Sequence, residues 1–250
     1  MQNKTKSNTI KALKGGDYLN SERLSNRLKA VASYVKEGAV VADIGSDHAY
    51  LPCFLVHTKK VKTAIAGEVA KGPYESAVKN VRREGFSEAI TVRLADGLFA
   101  IEEGDAVDTV TIAGMGGPLI ATILESGKER LSQVNRIIAQ PNIYSRAIRE
   151  WAVSNKWTII DEHILKEDGK IYEIIVLEKG QAMYGELELM AGPFLLASKT
   201  DVFLEKWEGE LAEWNRVLAS LKKTAETDAI KKKKEQMSGY IELVGKVLTT

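Results

Sequence analysis

The feature that most constrains the fold of this chain is a regular alternation of short apolar runs with helix-length segments. Five such runs, each bounded by turn residues, occur between residues 39 and 142: AVVADIG, TAIAGEV, ITVRLADG, DTVTIAGMGG and RIIAQPN. Short apolar runs of this kind predict strands that are buried on both faces, and the helices between them predict parallel crossovers. We therefore expect an α/β fold with a doubly wound parallel sheet.

The two ends of the chain depart from this central pattern. SERLSNRLKAVASYV predicts an amphipathic helix, capped near Ser21, that leads into the first strand. Alternating runs on either side of Asp168-Gly169 predict an antiparallel hairpin at one edge of the sheet. From about Thr200, apolar residues recur at steps of three and four, which predicts two helices with coiled-coil-like stripes. The stripes consist of Phe203, Trp207, Leu211, Trp214, Leu218 and Leu221, followed by Met237, Ile241, Val244 and Leu248.

This organisation predicts three segments. Residues 1–18 are polar and end just after a Gly-Gly pair, so we expect a disordered leader or extension. Residues 19–180 are expected to form the α/β domain, and residues 181–250 a helical coiled-coil domain.

Charge and cysteine content limit the class of partner. Lysine and arginine number 35 against 34 acidic residues, so an anionic partner must be met by a local patch rather than by bulk charge. Lys231 to Lys234 form one such patch, although a charge run is usually only a solvated face. The chain has one cysteine, no signal peptide and no apolar run long enough for a membrane, so we expect a cytoplasmic protein without a membrane partner.

Candidate functional residues fall at the carboxyl ends of the predicted strands, where open α/β sheets bind their ligands. Glu68 ends the second strand 25 residues after Asp43, a position from which a carboxylate can accept hydrogen bonds from both hydroxyls of a ribose. Gly45 lets the backbone approach a ligand closely. The third and fourth strands end in Asp96-Gly97 and in Gly114-Met115-Gly116-Gly117, although a glycine at a strand end is often a simple turn former.

The first loop indicates which nucleotide is bound. A dinucleotide needs the phosphate cradle G-x-G-x-x-G, and DIGSDHAYLP keeps only the first glycine. Asp47 places a negative charge where phosphates would lie, which favours a cofactor with a ribose, a positive charge and no phosphate. S-adenosyl-L-methionine has these properties, and the edge hairpin can supply the antiparallel seventh strand of a methyltransferase sheet.

Several motifs together resemble the TrmK family of bacterial tRNA (adenine-22, N1)-methyltransferases: VVADIGSDHAYLP, AGEVAKGPYESA, DTVTIAGMGG, RIIAQPN with IREWA, and EDGKIYEI. The resemblance extends from about Ser21 to the C-terminus. It implies a class I methyltransferase (Rossmann-like) seven-stranded sheet with a C-terminal α-helical coiled-coil domain, S-adenosyl-L-methionine as the cofactor, and tRNA as the partner. We expect no metal site. The cofactor contacts are expected from Asp43, Gly45, Ser46, His48, Glu68, Asp96, Gly97, Gly114, Met115 and Gly116.

The expected reaction is methylation of N1 of an adenine in the D-arm of tRNA. Adenine N1 has a free lone pair at neutral pH, so the first demand on the site is alignment. Methylation leaves the base positive, and Asp47 is the carboxylate best placed to stabilise that charge or to take the N6 proton. An alternative role for Asp47 is an N-cap of the following helix. His48 either touches the cofactor carboxylate or packs the turn.

The substrate side is expected at the ends of the fourth and fifth strands. AGMGG lacks the Asn/Asp-Pro-Pro-aromatic turn common in enzymes that methylate exocyclic amines, so N6 is a poor target. Gln140 and Asn142 carry amides that can read the Watson–Crick edge of a flipped base, or they form a plain turn at the proline between them. The base can stack on Tyr144 or Tyr50. A positive face at Arg23, Arg27 and Lys29 is expected beside the active site.

Two other functions remain open at this stage. A NAD-type Rossmann oxidoreductase would share Glu68 and the parallel sheet but lacks the phosphate loop. A non-catalytic RNA-binding protein would use the two C-terminal helices as its functional element. The sequence leaves the oligomeric state and the identity of the modified tRNAs open.

Overall fold

The computed structural model of the protein describes residues 24–222 and 226–249. Within these residues the chain forms one seven-stranded sheet, helices that cover it, and a C-terminal group of helices. The strands are β1 Val41–Ile44, β2 Ala64–Glu68, β3 Ile90–Leu94, β4 Thr109–Gly116, β5 Arg136–Ile143, β6 Trp157–Glu167 and β7 Lys170–Lys179. The helices are α1 Asn26–Tyr34, α2 Tyr50–His57, α3 Lys71–Arg83, α4 Gly117–Ser126, α5 Arg146–Ser154, α6 Glu186–Ala191, α7 Pro193–Ser198, α8 Asp201–Lys222 and α9 Asp228–Thr249.

The sheet has the strand order β3-β2-β1-β4-β5-β7-β6. Strands β1 to β5 are parallel to one another, whereas β7 is antiparallel to both β5 and β6. The β6–β7 hairpin turns at Asp168 and Gly169, which both have positive φ. The predicted doubly wound sheet with an antiparallel edge hairpin is thus confirmed. The strand order reverses between β1 and β4. Open α/β sheets bind their ligands in the crevice at the carboxyl ends of the strands beside such a switch point.

Two hydrophobic clusters lie on opposite faces of the sheet. Val41 packs into one cluster and Ala42 into the other, because successive side chains of a strand point to opposite faces. Ile112 and Ile137 are fully buried in the same cluster as Ala42. The central strands are therefore anchored on both faces, which fixes the positions of the loops at their ends.

Helix α1 begins at Asn26, and its N-cap is Ser25, whose Oγ accepts a hydrogen bond from the Leu28 N–H at 3.2 Å. The cap predicted near Ser21 lies outside the described residues, as do the predicted leader, residues 1–18, and Arg23. Val31 and Ala32 form the buried face of this helix. The amphipathic pattern was therefore correctly interpreted within the part of the helix that the structure describes.

Helices α8 and α9 pack against one another, and the first half of α8 and the last turns of α9 pack against the sheet. Phe203, Trp207, Val244 and Val247 are buried there, together with Ile164 of β6. Val247 takes the inward position that the heptad pattern assigned to Leu248, which is only partly buried. Because this cluster includes a strand of the sheet, the division into domains at residues 180 and 181 stays a prediction.

Candidate active site

The loop after β1 has an unusual backbone. Gly45, Asp47, His48 and Ala49 have φ values of 68°, 39°, 64° and 56°. Three consecutive residues with a Cβ in the left-handed region are rare, since each is strained there. Such a conformation persists only where the surrounding structure enforces it, and it is concentrated at functional sites.

Hydrogen bonds that the backbone N–H groups of this loop donate to β2 hold the loop in place. The N–H groups of Gly45 and Ser46 both donate to the carbonyl of Gly67, at 2.9 Å and 3.2 Å. The Asp47 N–H donates to Oε1 of Glu68 at 2.5 Å. Glu68 is therefore brought next to the first loop, as its place at the end of the second strand predicted.

The far side of the loop is held by a residue that the sequence analysis did not identify. Asn80 of α3 is buried, and its Nδ2 donates to the carbonyl of His48 at 2.8 Å. The available signal was an asparagine beside Val81 on the apolar face of a helix, because a buried polar side chain needs a partner. The His48 ring stacks on Tyr50 with a centroid distance of 5.3 Å, which matches the packing alternative for His48.

Asp43 is buried at the end of β1, and both of its carboxylate oxygens are occupied. Thr111 of β4 donates to Oδ1 at 2.6 Å, and Ser46 donates to Oδ2 at 2.5 Å. Burial raises the pKa of Asp43 in spite of these two hydrogen bonds. Asp43 thus ties the first loop to β4 through Thr111, a second residue that sequence reasoning missed.

Glu68 is the second buried carboxylate of the site, with 6% of its surface exposed. Burial raises the pKa of Glu68, and the nearby charges of Asp43 and Asp47 add to the effect. Within residues 24–222 and 226–249, no lysine or arginine forms an ion pair with Asp43 or Glu68. A ligand with a positive charge is therefore favoured at this position.

The prediction that Asp47 could cap the next helix is wrong. Helix α2 begins at Tyr50, its N-cap residue is Ala49, and no side chain bonds to its first turn. The left-handed turn at Asp47 directs its carboxylate elsewhere, and 82% of that side chain is exposed. Nε2 of His48 lies 3.6 Å from its Oδ1. The Asp47 carboxylate is therefore available to a ligand.

The end of β4 forms the other wall of the crevice. Gly114 has a φ of 80° and lies in an irregularity of the β4–β5 pairing. Its N–H donates to Oε1 of Gln140 at 3.0 Å, and its carbonyl accepts from Nδ2 of Asn142 at 2.8 Å. Met115 reaches across to the first loop, where a Cβ on Gly45 would lie 2.0 Å from its Cε. Only glycine leaves room for this contact.

Gln140 does not face the crevice as the sequence analysis expected. It is fully buried, and its Oε1 accepts hydrogen bonds from Arg27 Nη1 and from the Gly114 N–H. Its Nε2 donates to the carbonyl of Pro141 at 2.9 Å. Because the amide is occupied by protein partners, it holds the ends of β4 and β5 and the side chain of Arg27. The Arg27 guanidinium also lies 5.4 Å from the centre of the Tyr172 ring.

Three other predicted cofactor contacts, Asp96, Gly97 and Gly116, form fewer contacts with the first loop. Asp96 is exposed just before a 3₁₀ turn. A Cβ on Gly97 would lie 3.0 Å from Cγ2 of Ile123, so close packing against Ile123 explains a glycine at this position. A Cβ on Gly116 would meet Ile143 and Pro118 at 3.9 Å, which is ordinary contact. The structure thus brings together the ends of β1, β2, β4 and β5 more clearly than the end of β3.

The described residues lack two kinds of structural feature. Among the described residues, no group of three or more His, Cys, Asp and Glu side chains is arranged to hold a metal ion. None of the helices in the described ranges combines the length and apolarity needed to cross a membrane.

Comparisons with known proteins agree with this geometry. The family model described as tRNA (adenine(22)-N(1))-methyltransferase, TrmK, matches residues 41–246. The tRNA (adenine(22)-N(1))-methyltransferase of Bacillus subtilis is 46% identical over 236 residues, covering 92% of this chain and 99% of the relative. The crystal structure of B. subtilis TrmK superposes with a TM-score of 0.85 at 43% identity, covering 91% of this chain and 99% of that one.

A more distant structure extends the comparison to a bound state. M. capricolum TrmK, solved with the natural cofactor product S-adenosyl-homocysteine, has a TM-score of 0.78 and 29% identity, with 90% of this chain and 98% of that chain covered. The family match spans most of the chain, and the sheet and crevice are those of a methyltransferase. This chain belongs to the TrmK family of tRNA (adenine(22)-N(1))-methyltransferases.

Proposed function

We propose that this chain transfers a methyl group from S-adenosyl-L-methionine to N1 of adenine 22 in the D-arm of tRNA. The observation that carries the proposal is Glu68, a buried carboxylate with a raised pKa at the end of β2, bonded to the loop that follows β1, in a TrmK-family chain. A NAD-type oxidoreductase is not favoured, because the first loop lacks a phosphate cradle and carries Asp47. A non-catalytic role is not favoured, because this chain matches the B. subtilis methyltransferase over nearly the whole length of that enzyme.

The residues present fit this cofactor. Glu68 uses Oε1 to hold the Asp47 N–H, and a carboxylate has the capacity to accept further hydrogen bonds from ribose hydroxyls. S-adenosyl-L-methionine supplies an electrophilic methyl group on a positively charged sulfur. That charge suits a crevice in which Asp43 and Glu68 form no ion pair with a lysine or arginine of the described ranges. Gly45 and Gly114 leave open backbone on either side.

The other predicted cofactor contacts are assigned supporting roles. Asp43 and Ser46 stabilise the first loop, because the Ser46 hydroxyl donates a hydrogen bond to the Asp43 carboxylate. The Met115 thioether covers Gly45 and can shift around a ligand, because its side chain has three rotatable bonds. Asp96 is exposed at the end of β3 and is assigned to the adenosine end of the cofactor, whereas Gly97, Gly116 and His48 shape the backbone around it.

The chemistry requires alignment of the base and stabilisation of the charge that it acquires. The lone pair of adenine N1 forms the new bond to the methyl carbon, and the electron pair of the broken carbon–sulfur bond stays on sulfur. The base becomes positive as the sulfur becomes neutral. The exposed carboxylate of Asp47 stabilises this positive base or accepts the N6 proton.

The walls of the substrate side position the base. Asn142 is exposed and bonded to the Gly114 carbonyl, so its amide oxygen is placed at the mouth of the crevice. Gln140 acts through Arg27, whose guanidinium it fixes beside Gly114. Tyr50 is occupied by the His48 ring, and Tyr144 follows the end of β5 with 73% of its surface exposed, so neither ring is assigned to the methylated base.

The C-terminal helices are assigned to gripping tRNA, and the reaction is assigned to the cytoplasm on the basis of this substrate. Lys231, Lys232 and Lys233 are exposed in the first turns of α9, whereas Lys234 pairs with Glu226 at 3.0 Å. Removing the helices after about Gly192 would strip Phe203 and Trp207 from the core shared with β6, so charge removal is the cleaner test. Replacing the three exposed lysines by glutamine should reduce the slope of log affinity against log salt by about 2 to 3.

The function is tested by incubating the purified protein with labelled S-adenosyl-L-methionine and unmodified tRNA, and by mapping the modified nucleoside. We expect one N1-methyladenine at position 22. The same tRNA with guanine at position 22 is the matched control and should remain unlabelled. Label at another position, or on the control tRNA, would contradict the proposal.

A further inference from the structure

A second cavity lies next to the substrate side of the crevice. It has a volume of about 610 Å³. One wall is formed by the end of β5 and the residues that follow it, the other by α8, and part of the β6–β7 hairpin forms the floor. This volume is within the range of small-ligand sites, which is about 300–1,000 Å³. Asn142, which bonds to Gly114 at the mouth of the crevice, also lines this cleft. The two sites therefore share the carboxyl end of β5.

Aromatic side chains form both walls of the cleft. On the helical side, Trp214 and Tyr240 pack with ring centroids 5.1 Å apart and Trp207 lies deeper. On the opposite rim, Tyr144 is 73% exposed. These rings offer flat apolar surfaces on two sides of an open space, an arrangement on which a planar heterocycle can stack.

The backbone of the loop fixes Tyr144 at that rim. Tyr144 has a φ of 58°, in the left-handed region that a residue with a Cβ seldom adopts. Its carbonyl oxygen would lie 2.1 Å from a Cβ on Gly117, so the close approach of the two segments depends on that glycine. Ser145, the next residue, is buried and lines the cleft together with Glu173. An exposed aromatic residue is thus held in a strained conformation, as at other functional sites.

The cations that line the cleft already have carboxylate partners, which disfavours phosphate as its ligand. Four glutamates line the cleft, Glu173, Glu205, Glu210 and Glu213, against Lys206 and Arg146. Most of these charges are paired within the protein: Lys206 with Glu173, Arg146 with Glu150 and Glu186, Glu205 with Lys166, and Glu213 with Arg216. Carboxylates accept hydrogen bonds from the amino and imino groups of nucleobases, but they repel the RNA backbone.

One buried donor at the cleft also lacks a partner. Nε1 of Trp207 is buried and has no hydrogen-bond acceptor among the described residues. Trp207 lines the cleft, and buried polar groups are normally paired. Nε1 is closed off from the open space of the cleft, so recognition of a base there rests on stacking against the aromatic rings.

We propose that this cleft binds an unpaired nucleobase of the tRNA, distinct from the adenine that is methylated. The base stacks between Tyr144 and the Trp214–Tyr240 pair, and its hydrogen-bond donors face the glutamates. The inference rests on the proposed function, because it takes tRNA as the partner. It adds that the enzyme recognises a second single-stranded nucleotide near its target, since sequence-specific proteins read RNA mainly at unpaired bases.

The test fills the cleft without touching the cofactor site. Gly209 of α8 lines the cleft, and a Cβ there meets nothing within 4 Å, so Gly209→Leu places an aliphatic side chain in the open space. Gly239→Leu is the matched control, because Gly239 lies within α9, also has open space around its Cβ, and does not line the cleft. Both variants replace a helical glycine, which favours the helix.

Binding is measured as the Kd for unmodified tRNA, for a fully paired RNA duplex and for S-adenosyl-homocysteine. We expect Gly209→Leu to weaken tRNA binding about 10-fold, the effect of losing one stacked base, and Gly239→Leu to leave it unchanged. Duplex and S-adenosyl-homocysteine binding should not change in either variant. Equal tRNA affinities in the two variants would overturn the proposal. So would an equal loss of duplex binding, which would indicate a backbone contact, or a loss of S-adenosyl-homocysteine binding, which would assign the cleft to the cofactor.

These outcomes are separate from those of the proposed function. Wild-type protein that methylates adenine 22 while Gly209→Leu binds tRNA normally would leave the function intact and remove only the base-binding cleft. Wild-type protein that fails to methylate adenine 22 would remove the function, and the tRNA affinities would still decide whether the cleft binds an unpaired base.

Discussion

Two clusters of buried carboxylates in this molecule differ in what balances their charge. Asp43 and Glu68, at the ends of β1 and β2, pair with no lysine or arginine among residues 24–222 and 226–249. Glu162 and Glu173, on β6 and β7, both bond to the guanidinium of the fully buried Arg149, at 2.7 Å and 3.0 Å. The first cluster lies in the crevice, and the second lies between the sheet and the C-terminal helices.

The difference in charge balance appears in the pKa of Glu173, whereas burial raises the pKa of Glu162 in spite of Arg149. Burial raises the pKa of Asp43 and of Glu68, and hydrogen bonds alone do not offset it. Burial also acts to raise the pKa of Glu173, but Lys206 and Arg149 outweigh it and bring the pKa down to about 2. A buried acid that is balanced within the chain has a structural role, whereas one left unbalanced at a crevice is suited to a cationic ligand.

The balanced cluster connects separate parts of the fold. Arg149 of α5 also donates to the carbonyl of Met190 at 3.1 Å, and Lys206 of α8 bonds to Glu173. A Cβ on Gly192 would lie 2.4 Å from Glu162, so the turn between α6 and α7 is packed directly against the ions. The cluster therefore holds the C-terminal helices in a fixed position on the sheet.

The largest expected effect comes from removing the cation of this cluster. Arg149→Met leaves two buried glutamates without their common partner, and breaking a buried ion pair in this way costs about 3–5 kcal/mol of the free energy of unfolding. Urea denaturation measures the change. Arg216→Met, which removes an exposed partner of Glu213, is the control and should leave the denaturation midpoint unchanged. Equal midpoints for the two variants would show that the buried cluster is not structural.

The next effect concerns turnover. Asp47→Asn keeps the size of the side chain and removes the charge that we assign to the methylated base, so kcat at saturating cofactor should fall about 10- to 100-fold. Stability should not change, because the carboxylate is exposed and caps no helix. A variant that keeps the wild-type kcat would show that alignment alone supports the reaction.

The sequence predicted the fold and the location of the crevice because both follow from local patterns. Apolar runs with period and length typical of strands fixed the sheet, and the residue that ends each run marked Gly45, Glu68 and Gly114. The roles of Gln140 and Asn80 depend on contacts between segments far apart in the chain, and no local pattern shows them.

Other details were hidden for a different reason. The Arg149 cluster joins five elements, and its residues look like ordinary surface charges in the sequence. The wrong cap assigned to Asp47 has a backbone cause, since three residues in the left-handed region delay the start of α2 to Tyr50. Propensity rules do not anticipate a strained turn that distant hydrogen bonds enforce.

A smaller effect separates the two clusters by their pH dependence. The raised pKa of Glu68 means that the folded chain binds its proton more tightly than the unfolded chain. Stability from this group therefore falls as pH rises through the window between its ordinary value of 4.5 and its raised value. Glu173 behaves in the opposite way, because its lowered pKa gives stability above pH 4.5 that is lost as pH falls towards 2.

The Glu68 component is isolated by difference. The free energy of unfolding of the wild type minus that of Glu68→Gln, measured in urea between pH 4 and pH 7, should decrease with rising pH. A difference that increases with pH would mean that Glu68 is balanced by a cation in the folded chain.

The central claim is that the unbalanced cluster binds the cofactor while the balanced one holds the fold, and titration of S-adenosyl-homocysteine into Glu68→Gln tests it most directly. Glutamine keeps an acceptor for the Asp47 N–H but loses the charge that accepts from the ribose, so Kd should rise by about 10- to 100-fold, or roughly 1–3 kcal/mol. The urea midpoint of Glu68→Gln should be no lower than that of the wild type, and Arg149→Met, titrated where it is still folded, should bind normally. Wild-type affinity in Glu68→Gln would contradict the account.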